Sequence, residues 1–171
     1  MNRMSCLAIC LGLLAAPAAA DPVTLLGAFG NWSAYSTGTG SGMICYAVSQ
    51  PRASRPAGAR RQSIYVLISD YPGRKVKAEP QIVLGYPVKN DAAASLGVGP
   101  DKFVFFARND GKDGKAWLKS LDDGQHLIDA MKAGLSAVAQ GVSSRGTKTV
   151  DTYSLAGFND ALAKIHSVCG M

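Results

Sequence analysis

Gln62-Ser63-Ile64-Tyr65-Val66-Leu67-Ile68-Ser69 has a period of two, with Ile64, Val66 and Ile68 on one side of an extended chain and Tyr65 and Leu67 on the other. Both sets are apolar, so this strand is expected to be covered on both faces. Similar β-type runs occur at Ala28 to Tyr35, Met43 to Ser49, Gln81 to Val88, Lys102 to Arg108 and Ala116 to Leu118. Between Phe106 and Trp117 stands Asn109-Asp110-Gly111-Lys112-Asp113-Gly114, rich in residues that tolerate the positive φ of a hairpin turn. It is not an EF-hand loop, because its acidic positions are out of register and no glutamate closes a twelve-residue loop.

Helical spacing occurs twice. Leu127, Ile128 and Met131 predict a helix from Gly124 to Ala133, with Gly134 as its C-terminal cap. After a predicted strand at Ser136 to Val142, Phe158, Leu162, Ile165 and Cys169 share one face of a helix predicted from Leu155 to Val168. Many short strands with so few helices predict a mainly β chain, an antiparallel sandwich or partly open barrel, with one short helix and one C-terminal helix packed on the sheet.

The N-terminus carries Arg3, an apolar run from Cys6 to Ala16, a break at Pro17 and Ala18-Ala19-Ala20 before Asp21. That is the layout of a cleaved secretory signal over residues 1–20. The apolar run is shorter than the roughly 20 residues of a membrane span. A lipoprotein signal ending at Cys10 fits less well, because Ile9 is bulky and most of the apolar run follows the cysteine. Cleavage leaves a single domain over residues 21–171, long enough to bury roughly two thirds of its unfolded surface. Without Arg3 it holds seventeen basic and twelve acidic residues, a net charge of +5. This bias favours phosphate-rich partners such as lipopolysaccharide or host-surface polyanions without identifying one.

Cys6 and Cys10 leave with the signal, so only Cys45 and Cys169 remain. In an oxidising compartment they can pair within the chain, although free thiols or pairing between chains are the alternatives. An intramolecular bridge would close a loop worth about 4 to 5 kcal/mol in the chain-entropy account.

Candidate chemistry is sparse. Ser143-Ser144-Arg145-Gly146-Thr147 could hold an anion around Arg145, or simply form a tight turn with Arg145 paired to Asp151. Asp151-Thr152-Tyr153-Ser154 could supply acid, base and nucleophile, the basis of a hydrolase or transferase reading centred on Arg145, Asp151 and Tyr153. The competing reading makes Ser154 an N-cap for the last helix, worth about 1 kcal/mol. His126 and His166 have no metal-ligand neighbours at suitable spacing and read as surface residues on helices, and no G-x-S-x-G turn is present. No metal, cofactor or catalytic residue is therefore expected.

The stretch from Pro51 to Arg61 holds Arg52, Arg55, Arg60 and Arg61 without an acidic residue, either a solvated loop or an anion-binding finger. It contains no aromatic to stack on bases, which argues against nucleic acid. Trp32, Tyr86 and Trp117 could make an aromatic platform, but aromatics in β runs more often fill a core. Asn31-Trp32-Ser33 formally matches a glycosylation acceptor.

The mature chain shows, in order, Gly30-Asn31-Trp32-Ser33-Ala34-Tyr35, Cys45-Tyr46-Ala47, Gly85-Tyr86-Pro87-Val88-Lys89 and Ala116-Trp117-Leu118. Ala130-Met131-Lys132-Ala133-Gly134, Gly141 to Thr147, Asp151-Thr152-Tyr153-Ser154-Leu155-Ala156-Gly157-Phe158 and Cys169 follow. This series resembles the invasion associated locus B family of exported bacterial proteins. The resemblance implies a non-enzymatic periplasmic, outer-membrane-associated or secreted binding protein, linked to host-cell interaction or to envelope integrity. A purely structural envelope stress factor is a further alternative. Many family members carry another cysteine soon after the tryptophan motif, where this chain has Ser36, so only the Cys45 to Cys169 link carries over. The resemblance casts Trp32, Gly85, Tyr86, Pro87, Trp117, Gly146, Thr147, Asp151, Tyr153, Ser154, Gly157 and Phe158 as structural residues.

Overall fold

The computed structural model describes residues 21–89, 92–120 and 122–171, so the expected leader lies outside the described residues. Among the described residues eleven strands run in chain order: β1 (Thr24–Phe29), β2 (Trp32–Thr37), β3 (Ile44–Ser49), β4 (Ala53–Arg55), β5 (Tyr65–Tyr71) and β6 (Val76–Val83), then β7 (Ala93–Val98), β8 (Asp101–Asp110), β9 (Asp113–Leu118), β10 (Ser136–Val142) and β11 (Lys148–Ser154). Helix α1 (Asp123–Ala133) lies between β9 and β10, and α2 (Phe158–Cys169) follows β11. The strands form one antiparallel sheet in the order β1-β2-β3-β5-β6-β9-β8-β7-β10-β11-β4.

That order forces the sheet to curl. Only Gln50 to Arg52 join β3, third in the sheet, to β4, its last strand. So short a connection reaches about 14 Å at most, and the far edge must return towards the first strands. The sheet still does not close into a barrel. Across the seam, Asn31 N–H donates to the Ala156 carbonyl at 3.0 Å and Trp32 Nε1 to the Ser154 carbonyl at 3.0 Å. The structure thus realises the partly open form of the expected fold.

Alternate residues on the central strands face the hollow, among them Trp32 and Ala34, Val66 and Ile68, Phe103 and Phe105, and Ala137 and Ala139. Both helices fill it. Helix α2 packs on β1, β2, β3 and β5 through Phe158, Leu162 and Ile165, while α1 covers β6, β7 and β8 through Leu127, Ile128 and Met131. The disulfide joins Cys45 of β3 to Cys169 at the end of α2, across 124 residues of sequence. On β5, Val66 and Ile68 are buried as expected, whereas Tyr65 and Leu67 on the outer face are only half-buried.

Several boundaries differ from the sequence reading. Ala28 to Tyr35 is a hairpin rather than one strand, because Gly30 at φ 57° turns the chain between β1 and β2. Gln81 to Val88 is a strand only through Val83, since Gly85 at φ 69° ends it. Asp151 to Ser154 belongs to β11 and does not lead directly into the helix. Ser154 is therefore not the N-cap of α2: its Oγ accepts from Ala156 N–H at 3.2 Å, and Gly157, at φ 89°, precedes the helix. Strand β4 escapes a periodicity reading because it is three residues long, and β7 because Ala, Ser and Gly dominate it.

Candidate functional site

Because residues 148–154 are a strand, Thr149, Asp151 and Tyr153 share its buried face. Asp151 does not meet Arg145. Arg61 grips it instead, Nη1 donating to Oδ1 and Nη2 to Oδ2, each at 2.7 Å. Arg61 also donates twice to the Leu84 carbonyl, from Nε at 3.0 Å and Nη2 at 2.7 Å, and its guanidinium lies 4.9 Å from the centre of the Tyr86 ring. The Tyr86 hydroxyl is 2.6 Å from Thr149 Oγ1. Gly141 leaves room for it, since a Cβ there would stand 2.6 Å from that hydroxyl.

The two ionised side chains are 5% and 1% exposed and satisfy each other in the bidentate geometry that suits arginine. The cluster is a clamp tying the segment before β5 to β11 and to the turn after β6. Two expectations are thereby corrected. Arg145 is exposed on the β10–β11 turn, which Ser143 builds by accepting Thr147 N–H at its Oγ (3.1 Å) and Gly146 N–H at its carbonyl (2.9 Å). Arg61, expected beside Arg60 in an anion-binding loop, is committed to Asp151. Arg145, Asp151 and Tyr153 therefore share no open cleft.

Tyr153 is fully buried and its hydroxyl has no partner among the described residues. Burial raises its pKa well above the ordinary tyrosine value, with the Asp151 charge adding to the shift and Arg61 opposing it. Burial likewise raises Tyr86, against the Thr149 hydrogen bond.

Trp32, Ser154, Gly157 and Phe158 make a second structural junction. Trp32 packs on Phe158 with ring centres 4.9 Å apart, and a Cβ on Gly157 would fall 1.8 Å from the Phe29 carbonyl oxygen. Gly85 accepts Gln62 N–H at 2.8 Å, and the Pro87 carbonyl accepts Ser144 N–H at 2.7 Å. Trp117 stays on the outer face of β9, stacked on Phe106 at 5.9 Å. The three aromatics of the supposed platform are thus in three different places.

Of the four loop arginines, Arg52 and Arg55 remain exposed next to and on the edge strand β4, and Arg60 remains exposed in the loop that follows it. None pairs with a carboxylate among the described residues; Arg52 Nη1 reaches only Asn31 Oδ1, at 3.5 Å.

The sequence reading missed a cleft between β6 and β9. Leu84 N–H donates to the Gly114 carbonyl, and the register then pairs Ile82 with Ala116 and Gln81 with Trp117. The next position would require Pro80 to donate to Leu118, and proline has no N–H. The strands part there, leaving a cavity of about 610 Å³ whose walls include Trp117, Phe106 and Ile128. His166 also lines it, and its Nδ1 is 2.6 Å from Oδ2 of the fully buried Asp70. The other Asp70 oxygen accepts Ala78 N–H at 2.8 Å, with Ala78 at φ 54°. His166 is therefore not the plain surface residue expected; His126, exposed on α1 and 3.7 Å from Asp101, is closer to that description. The only advance signals were a proline inside a strand and an aspartate closing an apolar run.

The profile described as "Invasion associated locus B (IalB) protein" matches residues 32–166. The chain belongs to the invasion associated locus B family. The match opens at Trp32 and ends at His166, so the family region holds the clamp, the tryptophan junction and the cleft, with Cys169 just beyond. A crystal structure of invasion associated protein B from Bartonella henselae superposes with a TM-score of 0.59 at 14% identity, covering 85% of this chain and 98% of that one. At that identity the likeness shows the invasion associated locus B fold alone. No curated protein matches by sequence. Among the described residues no helix is long and apolar enough to cross a membrane, and no three His, Cys, Asp or Glu side chains gather as a metal site would need.

Proposed function

We propose that this invasion associated locus B protein is exported, loses residues 1–20, and acts in the periplasm, at the outer membrane or outside the cell as a binding protein that performs no covalent chemistry. Its partner is an anionic envelope or host-surface component, held by Arg52, Arg55 and Arg60. The observation that carries this reading is the exposure of these three arginines, Arg52 and Arg55 at the edge strand β4 and Arg60 in the loop after it, without a carboxylate partner among the described residues. Guanidinium suits the planar recognition of phosphate or sulfate. The disulfide supports the address, because such bridges persist in oxidising compartments. The family resemblance and the net positive charge of the mature chain agree with it.

The test is retention on immobilised lipopolysaccharide and on heparin, wild type against the Arg52→Ala, Arg55→Ala, Arg60→Ala triple variant. The variant should elute at clearly lower salt while keeping its melting temperature. Equal retention on both matrices would remove the arginine edge from the binding mechanism.

A further inference from the structure

The arginine edge does not account for the cleft between β6 and β9. At about 610 Å³ it lies within the size range of small-molecule sites. Its walls divide by chemistry. Trp117, Phe106 and Ile128 make an apolar side, while Lys77 and Lys132 stand at the exposed rim. Lys77 makes no ion pair among the described residues, and Lys132 has only a loose contact with Asp129 at 3.6 Å. The one carboxylate in the lining, Glu79, lies 3.8 Å from Arg74. The rim is therefore net positive.

His166 adds direction. The Nδ1 contact with Asp70 fixes the ring and leaves Nε2 as the nitrogen without a partner among the described residues. Asp70 is held in turn by Ala78 N–H, at a backbone angle that non-glycine residues seldom adopt. Buried support for one polar group beside an apolar wall is the arrangement that orients small ligands.

We propose that this cleft binds a small amphipathic carboxylate, an acyl or aryl chain whose body lies along Trp117, Phe106 and Ile128 and whose charged end lies between Lys77 and Lys132. His166 Nε2 meets a polar atom of the bound molecule.

Decanoate is the probe, with decanol and decyltrimethylammonium as neutral and cationic counterparts, the two ionic amphiphiles below their micelle concentrations and decanol below its solubility limit. The chain has two tryptophans and Trp32 is fully buried, so a change in emission on titration reports Trp117. Decanoate should saturate the signal and bind more tightly than the other two. Lys77→Ala with Lys132→Ala should weaken decanoate roughly five- to tenfold, the scale of two exposed charge contacts, and leave decanol unchanged.

Gly124→Phe should abolish binding of decanoate by filling the cleft, read by calorimetry. A Cβ at Gly124 meets nothing nearer than Leu118 at 4.0 Å, and replacing a helix glycine does not weaken the helix, so the variant should fold. The triple arginine variant should bind decanoate as wild type does, which separates this site from the anionic edge. Unsaturable titration, equal affinity for all three amphiphiles, or full binding by the folded Gly124→Phe protein would each overturn the proposal.

Discussion

Arg61→Ala should be far more damaging than its position in an arginine-rich loop suggests. Its side chain is 5% exposed and that of Asp151 1%, so removing the guanidinium leaves a carboxylate out of water with no counter-charge. Breaking one partner of such a pair costs about 3 to 5 kcal/mol. The Leu84 carbonyl loses two donors in the same step, and an orphaned buried polar group costs about 1 to 3 kcal/mol more, although the two losses overlap. A domain of this size is stable by about 5 to 15 kcal/mol, so the variant should sit near the edge of folding. Arg60→Ala, one residue earlier and exposed, should stay within about 0.5 kcal/mol of wild type. Urea unfolding followed by circular dichroism measures both. The closing arm of the cycle is Arg61→Met with Asp151→Leu, which removes both charges and should lose less stability than Arg61→Ala alone. If Arg61→Ala costs no more than about 1 kcal/mol, or the double variant is the sum of its parts, the clamp does not hold the sheet as argued.

Tyr153→Phe deletes a buried hydroxyl with no partner among the described residues and should raise stability by about 1 kcal/mol, a melting shift of about 2 to 4 °C by calorimetry. The same variant tests pH dependence. A folded pKa above the unfolded one means that stability is fully present below pH about 10 and falls as pH rises beyond it, so wild type should weaken more steeply than Tyr153→Phe on the alkaline side. Reducing the Cys45–Cys169 bridge, or replacing both cysteines by alanine, should lower stability by up to about 4 to 5 kcal/mol in urea, since it frees a loop of 124 residues. Two freely alkylatable thiols in the protein purified without reductant from its native host would contradict the proposed export.

The fold was legible where side chains repeat with a period. Val66 and Ile68 marked β5, Leu127, Ile128 and Met131 marked α1, and Phe158, Leu162 and Ile165 marked the buried face of α2. Each pattern states which side of an element is apolar, and burying those sides together needs a curled sheet around two helices. The clamp was half legible. The spacing of Asp151 and Tyr153 could be read as one strand face, but nothing in the sequence reveals that Arg61, ninety residues earlier, is the partner. Proximity along the chain favoured Arg145, and strand geometry overruled it, because Asp151 points into the sheet while Arg145 lies out on the turn.

The cleft was illegible for a different reason: it arises from a hydrogen bond that cannot form. A proline in a β run reads as a weak strand, and only the register of β6 against β9 shows that its missing N–H faces a partner rather than solvent. The defect then has two effects in one place. It stops the ladder before the cleft residues of β6 can be covered, and it leaves Trp117 and Phe106 as an apolar wall beside the opening. The clamp and the disulfide tie distant parts of the sheet together, Arg61 joining the segment before β5 to Asp151 of β11 and Cys45 joining β3 to Cys169 of α2. Because His166 lies one helical turn before Cys169 on α2, the bridge that fixes the helix end also fixes the imidazole against Asp70. Stability and the candidate ligand site therefore share one covalent support.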